Sequence, residues 1–475
     1  MLFPTVTFHF FFIAVFLVIW ALRDNEWRKI LLLIASWIFY GAWDWRFVVL
    51  LILSGFLNWG GARLILWARF EEAEASRAGL AKPIFIAGII ANLVILGFFK
   101  YYGFFLEQVG ATLHSLGWER DLPILSVILP VGVSFFTFQG MSYQIDIYRK
   151  HTRPASLLDI TLLMSFFPHL VAGPIVRASH LVPQFQTIPR LTRSMAAVGV
   201  TLILWGLFKK VVIASQLATD YVDPVFFDPT AYSSLDLLTG LYGYAVQIYC
   251  DFSAYSDIAI GLAALLGYRF PWNFNQPYRS ATLQEFWRRW HMSLSQWLRD
   301  YLYISLGGSR YGPKRLYIAL ITTMLLGGLW HGASWNFVIW GAIHGFVLAA
   351  ERAIRKTDME TASAVYKFAN VFLTFHIVTI AWLFFRSSEF ATSLAFLEGL
   401  FAFKTADTLL LSPLSLALIV VGMSLHFFPS NIIEHPAMLL RRAPAWCVAV
   451  IGVATLLAIE AMAPEGVAPF IYYQF

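Results

Sequence analysis

Charge is what this chain has least of. Only 13% of its 475 residues are Asp, Glu, Lys or Arg, about half the share of an ordinary soluble domain. With 59% hydrophobic residues and a mean hydropathy of +0.66, it cannot present a water-facing surface all round, so it reads as an integral membrane protein. Cysteine is nearly absent as well. Cys250 and Cys447 both fall in or beside apolar runs, which excludes a disulfide framework and a cysteine-built metal site. No two histidines stand at i,i+4 beside a carboxylate, so no metal is expected. A phosphate-cradling or dinucleotide glycine loop is missing, and so is a Gly-x-Ser-x-Gly elbow. The net charge of +6 does not call for nucleic acid, because excess Lys and Arg in a membrane protein gathers in cytoplasmic loops. Residues 5–22 have no basic residue ahead of them, unlike a cleaved signal, and are expected to remain as a first span.

What is present is a series of apolar runs. A helix needs about 20 apolar residues to cross the hydrocarbon. Runs of that order lie near 5–22, 29–44, 46–66, 84–104, 158–176, 195–215, 233–250, 252–268, 316–345, 368–386, 408–428 and 444–462. Residues 122–147 are a further candidate, broken by Pro123, Pro130 and Gly132, and are expected to be re-entrant. The expectation is one all-α polytopic membrane domain over residues 1–475, with about 11 transmembrane helices plus re-entrant and interfacial ones. No internal repeat is visible, which argues against an inverted-repeat transporter. Loop charge suggests the orientation. Arg23, Arg28 and Lys29 put 23–29 in the cytoplasm and the N-terminus outside. Asp220, Asp223, Asp228 and Asp236, with no Lys or Arg, put 216–236 outside. Arg279, Arg288, Arg289, Arg299, Arg310, Lys314 and Arg315 put 278–315 in the cytoplasm.

Polar residues inside apolar sequence mark the chemistry. "LLGGLWHGASWNFVIWGAIHG" (325–345) lies in a stretch without Asp, Glu, Lys or Arg between Arg315 and Glu351, yet carries His331 and His344. Gly327, Gly328 and Gly332 surround His331, Trp330 and Trp335 wall it, and Asn336 follows. At 1.5 Å per residue from Leu316, His331 lies roughly 22 Å along the span. An imidazole at that depth needs partners. It either glues helices together or serves a reaction, and the glycines let the helix open or another group approach. In "ATLQEFWRRWHMSLSQWLRDYLYISLGGSR" (281–310), Thr282 and Glu285 suggest a capping box. Phe286, Trp290, Leu294, Trp297 and Tyr301 keep helical spacing, predicting one amphipathic helix at the cytoplasmic interface with His291 on it. Arg288 and Arg289 there either anchor to lipid headgroups or recruit an anionic donor. In "YGYAVQIYCDFSAYSDIAIGLAALLGYRFPWNFNQPY" (242–278), Asp251 and Asp257, with Ser253, Tyr255 and Ser256 between them, stand where apolar residues are expected. They either tie helices together or orient a histidine or polar ligand. The broken segments 130–149, with Gln139, and 166–185 suit the lining of a tunnel.

Together these stretches resemble the membrane-bound O-acyltransferase family, in its bacterial alginate O-acetyltransferase branch. The resemblance is carried by "SFFTFQGMSYQIDIYR", "FFPHLVAGPIVR", "YCDFSAYSDIAIGLAALLGYRFPWNFNQPY", "FWRRWHMSLSQWLRDYLYISLGG", "GGLWHGASWNFVIWGAIHG" and the closing "APFIYYQF" (468–475). Ser305 stands where the family usually has proline. The resemblance implies a fold in which polar funnels from both faces meet at a central tunnel. It implies that His331 and His291 are the catalytic histidines, His331 acting as base. Asp251, Ser253, Tyr255, Ser256, Asp257, Gln139, Trp330 and Asn336 are expected to line or support the tunnel, and Arg288 and Arg289 to bind the donor. No bound cofactor is implied. The donor is acetyl-CoA or an acyl carrier protein in the cytoplasm, and the acceptor an extracytoplasmic polysaccharide or an acyl-relay partner protein. The setting is a bacterial inner membrane. D-alanyl transfer to teichoic acid and a transporter or flippase are the alternatives.

Overall fold

The structure is a computed structural model and describes residues 3–69, 79–118, 127–354, 361–405, 410–429 and 433–462. Pro123 and the closing 468–475 lie outside them. Regular structure among the described residues is entirely helical. The chain forms two compact units, Met1–Leu191 with Ala263–Phe270, and Thr192–Leu262 with Pro271–Phe475.

The first unit holds α1 (Val6–Ala21), α2 (Asn25–Asp44), α3 (Arg46–Trp67), α4 (Ala81–Ser115), α5 (Val133–Tyr148), α6 (Leu157–Ser165) and α7 (Ala178–Phe185). Side-chain caps start three of them: Thr5 accepts from Phe8 N, Asp24 from Trp27 N and Ser156 from Asp159 N. The run 158–176 is not a span. It is helical only to Ser165, then breaks at Phe166, whose ψ of 106° lies outside the helical region, ahead of a single turn at Phe167–Leu170. Inside the unit, α3, α4 and α5 meet at three amides. Asn58 and Asn92 exchange two hydrogen bonds of 3.1 and 3.0 Å, and Gln144 donates to Asn58 at 2.8 Å. A methyl at Gly61, Gly88 or Gly140 would run into these amides, so small residues let the helices approach closely enough to share them.

The second unit holds α8 (Arg193–Phe227), α9 (Ser234–Leu265), α10 (Leu283–Trp287), α11 (Met292–Trp297), α12 (Pro313–His331), α13 (Trp335–Ile354), α14 (Ala364–Arg386), α15 (Phe390–Phe401), α16 (Pro413–Ser424), α17 (Glu434–Arg442) and α18 (Ala445–Ala461). Among the described residues, six helices are long and apolar enough to cross a membrane: α3, α4, α8, α9, α13 and α14. α1, α15, α16 and α18 are apolar but shorter. The chain is a multi-pass membrane protein.

Several expectations change here. Runs 233–250 and 252–268 are one helix, α9, because Asp251 is balanced by Lys210 and marks no boundary. Segment 216–236 is not a free acidic loop. α8 continues through it to Phe227, Asp223 pairs with Arg386 at 2.6 Å, and the buried Asp236 accepts from Leu410 and Leu411 amides at 3.0 and 3.2 Å. The run 316–345 is a hairpin of α12 and α13. A methyl at Gly328 would meet the Phe337 carbonyl, and one at Gly341 the Met324 carbonyl, so both glycines serve close backbone packing of the two helices.

Candidate active site

His331 is the last residue of α12 and is 3% exposed. The helix stops there because Gly332 is extended, at φ −165° and ψ 156°, and the Phe337 ring occupies the space a side chain at 332 would need. Ser334 then accepts from Asn336 N at 3.2 Å as α13 begins. The imidazole is boxed by three aromatic rings: Trp330 at 4.9 Å, Trp340 at 5.0 Å and Phe385 at 5.1 Å between centroids. Asn336 is buried and donates to the Ser387 carbonyl at 2.9 Å, holding the start of α13 to the end of α14.

His291 reaches the same indole from elsewhere, its ring 6.1 Å from Trp330 and edge-on to Phe252 at 4.6 Å. The expected single helix over 281–310 is two short ones, α10 and α11, with His291 between them at φ 41° and ψ 54°. A left-handed residue with a side chain costs about 1–2 kcal/mol. The surroundings hold it there. Met292 N donates to Asn273 O at 2.9 Å and Asn275 N to Arg289 O at 2.8 Å. Asn273 Oδ1 accepts from Ser293 N and Oγ at 3.2 and 2.9 Å and lies 3.3 Å from His291 Nδ1, while Asn273 Nδ2 donates to Ser256 at 3.0 Å. The turn was invisible to a helical-period reading because the aromatic spacing continues across it. The cap is as expected: Thr282 accepts from Glu285 N at 2.8 Å, and Glu285 accepts from Ala281 N at 2.9 Å.

The acids of α9 meet a pair of lysines. Lys210 lies 2.8 Å from Asp251, and Lys209 donates to Asp257 at 2.8 Å and Ser253 at 2.6 Å. Their ammonium groups also lie 5.7 Å from the Tyr255 ring and 5.6 Å from the Tyr249 ring. All four charged residues are buried. Both lysines lie in the stretch Phe208–Ser215, which is π-helical. The sequence reading passed over Lys209 and Lys210. The signal was there, two cations inside the apolar run 195–215, where an ionisable residue needs a partner.

The second unit also holds a cavity of about 770 Å³, lined by Trp287, Arg288, Met292, Arg299, Glu351 and Arg352 among others. Glu351 accepts from Leu283 and Gln284 amides at 2.8 and 3.3 Å, and so caps α10. Arg289 pairs with Glu285 at 2.9 Å and donates to Asn275 O at 3.2 Å, whereas Arg288 faces the cavity. Gln139 belongs to the first unit, buried on α5.

Residues 142–388 match the family model of the membrane-bound O-acyltransferases. The chain belongs to that family. The match takes in both histidines, both lysine–aspartate pairs and the cavity. This acyltransferase is 42% identical over 412 residues to the probable alginate O-acetylase AlgI of Pseudomonas aeruginosa, covering 85% of the chain and 76% of that relative. It is 35% identical over 432 residues to the peptidoglycan O-acetyltransferase of Helicobacter pylori, covering 84% and 80%. The teichoic acid D-alanyltransferase of Streptococcus thermophilus is 29% identical over 280 residues, covering 54% and 68%. The chain is an O-acyltransferase.

Proposed function

We propose that this O-acyltransferase moves an acetyl group from a cytoplasmic thioester to a hydroxyl of an extracytoplasmic polysaccharide, directly or through a partner protein. The observation that carries this reading is His331, boxed by aromatic rings at the end of α12, with His291 on the same indole. The O-acetylating relatives at 42% and 35% identity, whose names point to alginate and peptidoglycan, favour a glycan acceptor.

In this reaction neutral His331 takes the hydroxyl proton as the oxygen attacks the thioester carbonyl. The carbonyl end of α12 lies beside the imidazole and favours the positive charge it gains. The carbon–sulfur bond then breaks, and the thiolate takes the proton back. His291, positioned by Asn273 and Ser256, stands on the donor side. Arg288, with Arg299 and Arg352, takes the donor's phosphates or a carrier protein's acids, since a guanidinium fork matches both. Arg289 supports them through its bond to the Asn275 carbonyl. The lysine–aspartate pairs, Tyr255, Trp330 and Asn336 hold the walls of the passage. The basic segment 278–315 supports a cytoplasmic donor face in a bacterial inner membrane, and the basic loop 23–29 supports an N-terminus outside.

Purified protein in vesicles, given acetyl-labelled CoA or acyl carrier protein on one face and glycan on the other, tests the reading. Labelled glycan, or a labelled serine on an added partner, is the expected result. Transfer of D-alanine but not acetyl would move it to the teichoic acid branch. Solute movement without any acyl transfer would make it a transporter.

A further inference from the structure

His344 was visible in the sequence but without a role. It lies on α13 one turn beyond Trp340 and is fully buried. Its ring packs against Trp340 at 4.6 Å, Trp287 at 5.3 Å and Phe286 at 6.2 Å. Among the described residues, neither Nδ1 nor Nε2 has a hydrogen-bond partner, and the indole N–H groups of Trp287 and Trp340 have none either. Each buried polar group left unmade costs about 1–3 kcal/mol, and native interiors leave few of them. Here four occur on three touching rings. The row has direction. Trp287 lines the 770 Å³ cavity, and Trp340 touches His331.

We propose that His344 binds the amide groups of the donor's pantetheine arm, with the Trp287 and Trp340 indoles donating to its carbonyls, along the way from the cavity to His331. This rests on the thioester-donor reading above and adds a residue and a ligand chemistry to it. A neutral imidazole carries one donor and one acceptor on opposite sides of the ring. An alkyl chain satisfies neither and a phosphate only the donor. An amide offers both a C=O and an N–H. The pantetheine arm carries two amides in series on a narrow chain, and CoA and acyl carrier proteins share it. Indoles donate only, which suits carbonyl oxygens.

The test uses full-length protein in nanodiscs and the acetonyl thioether of 4′-phosphopantetheine, which binds but cannot transfer its acyl group. Binding is read by calorimetry, where the fitted Kd is independent of any inactive fraction. His344→Phe keeps a flat ring and removes both hydrogen-bonding atoms, and should weaken binding at least about tenfold. His344→Gln keeps a donor and an acceptor and should stay within about threefold of wild type. If His344→Phe binds as wild type, or His344→Gln falls as far as His344→Phe, the assignment is overturned and ordered water satisfies the ring. Should His344→Phe not insert, Trp287→Phe must raise Kd by about threefold or more, and an unchanged Kd overturns the proposal equally. Wild-type protein that fails to bind the thioether would instead sink the donor reading itself.

Discussion

Two buried polar clusters in this chain solve the same problem in opposite ways. In the first unit, Asn58 uses both amide hydrogens and its carbonyl on Ser54, Asn92 and Gln144, and of the three amides only Gln144 Oε1 has no partner among the described residues. The glycines around it close the space. In the second unit, Trp287, Trp340 and His344 have four ring nitrogens without a partner among the described residues, and Trp287 lines a cavity. Both clusters sit in helices that read as membrane, so depth alone does not decide what a polar side chain is for. A cluster whose groups spend their hydrogen bonds on each other holds helices together. One that keeps them in reserve along a route to a cavity is shaped for a ligand. The lysine–aspartate pairs belong with the first kind in bonding.

Substitutions should pull these kinds apart. The largest effect is expected at His331. His331→Ala should cut acyl transfer by about 10²–10⁴-fold at unchanged protein level and thermal midpoint, measured with the purified enzyme; wild-type turnover would remove it from the chemistry. Next is Lys210→Met, which strands Asp251 and should cost about 3–5 kcal/mol of stability. Adding Asp251→Leu should restore much of that in denaturation midpoints in detergent. If the double variant is no more stable than the single, the pair is not an isolated tie.

Gly341→Ala should cost about 1–3 kcal/mol through overpacking against the Met324 carbonyl. Gly452→Ala, where a methyl meets nothing within 4 Å, should cost nothing. Equal midpoints for the two would undo the close-packing account of the hairpin. Arg288→Ala should raise the donor KM by about three- to tenfold with kcat kept, an effect that fades as salt rises. An unchanged KM would make Arg288 a lipid anchor. The smallest effect is expected at Asn92→Ala, about 0.6 kcal/mol, the average for a hydrogen bond between membrane helices. Its KM and kcat should not move. A kinetic change there would erase the contrast between the two clusters.

The candidate residues were legible because a polar residue in an apolar run stands out. His331, His291, Asp251 and Asp257 are all buried where that logic places them. What surrounds each one was not legible, because partners come from distant sequence. Lys209 and Lys210 were equally conspicuous but were not read against the acids some forty residues later. The sequence leaves open whether the glycines near His331 open their own helix or let another group approach. Only the facing backbone of α13 reveals Gly328 as a contact surface. His291 escaped for a different reason: a left-handed residue leaves no mark on hydrophobic spacing.

The π-helical stretch Phe208–Ser215 has a practical consequence for anyone redesigning this protein. Such a stretch amounts to one residue more than an α-helix would use. A deletion that regularised it would leave both flanks near their present register, because the bulge is what absorbs the extra residue, and would displace the side chains inside it. Lys209 and Lys210 are among those side chains, so the edit would disturb their reach to Asp257 and Asp251. Stabilising edits to this protein belong elsewhere.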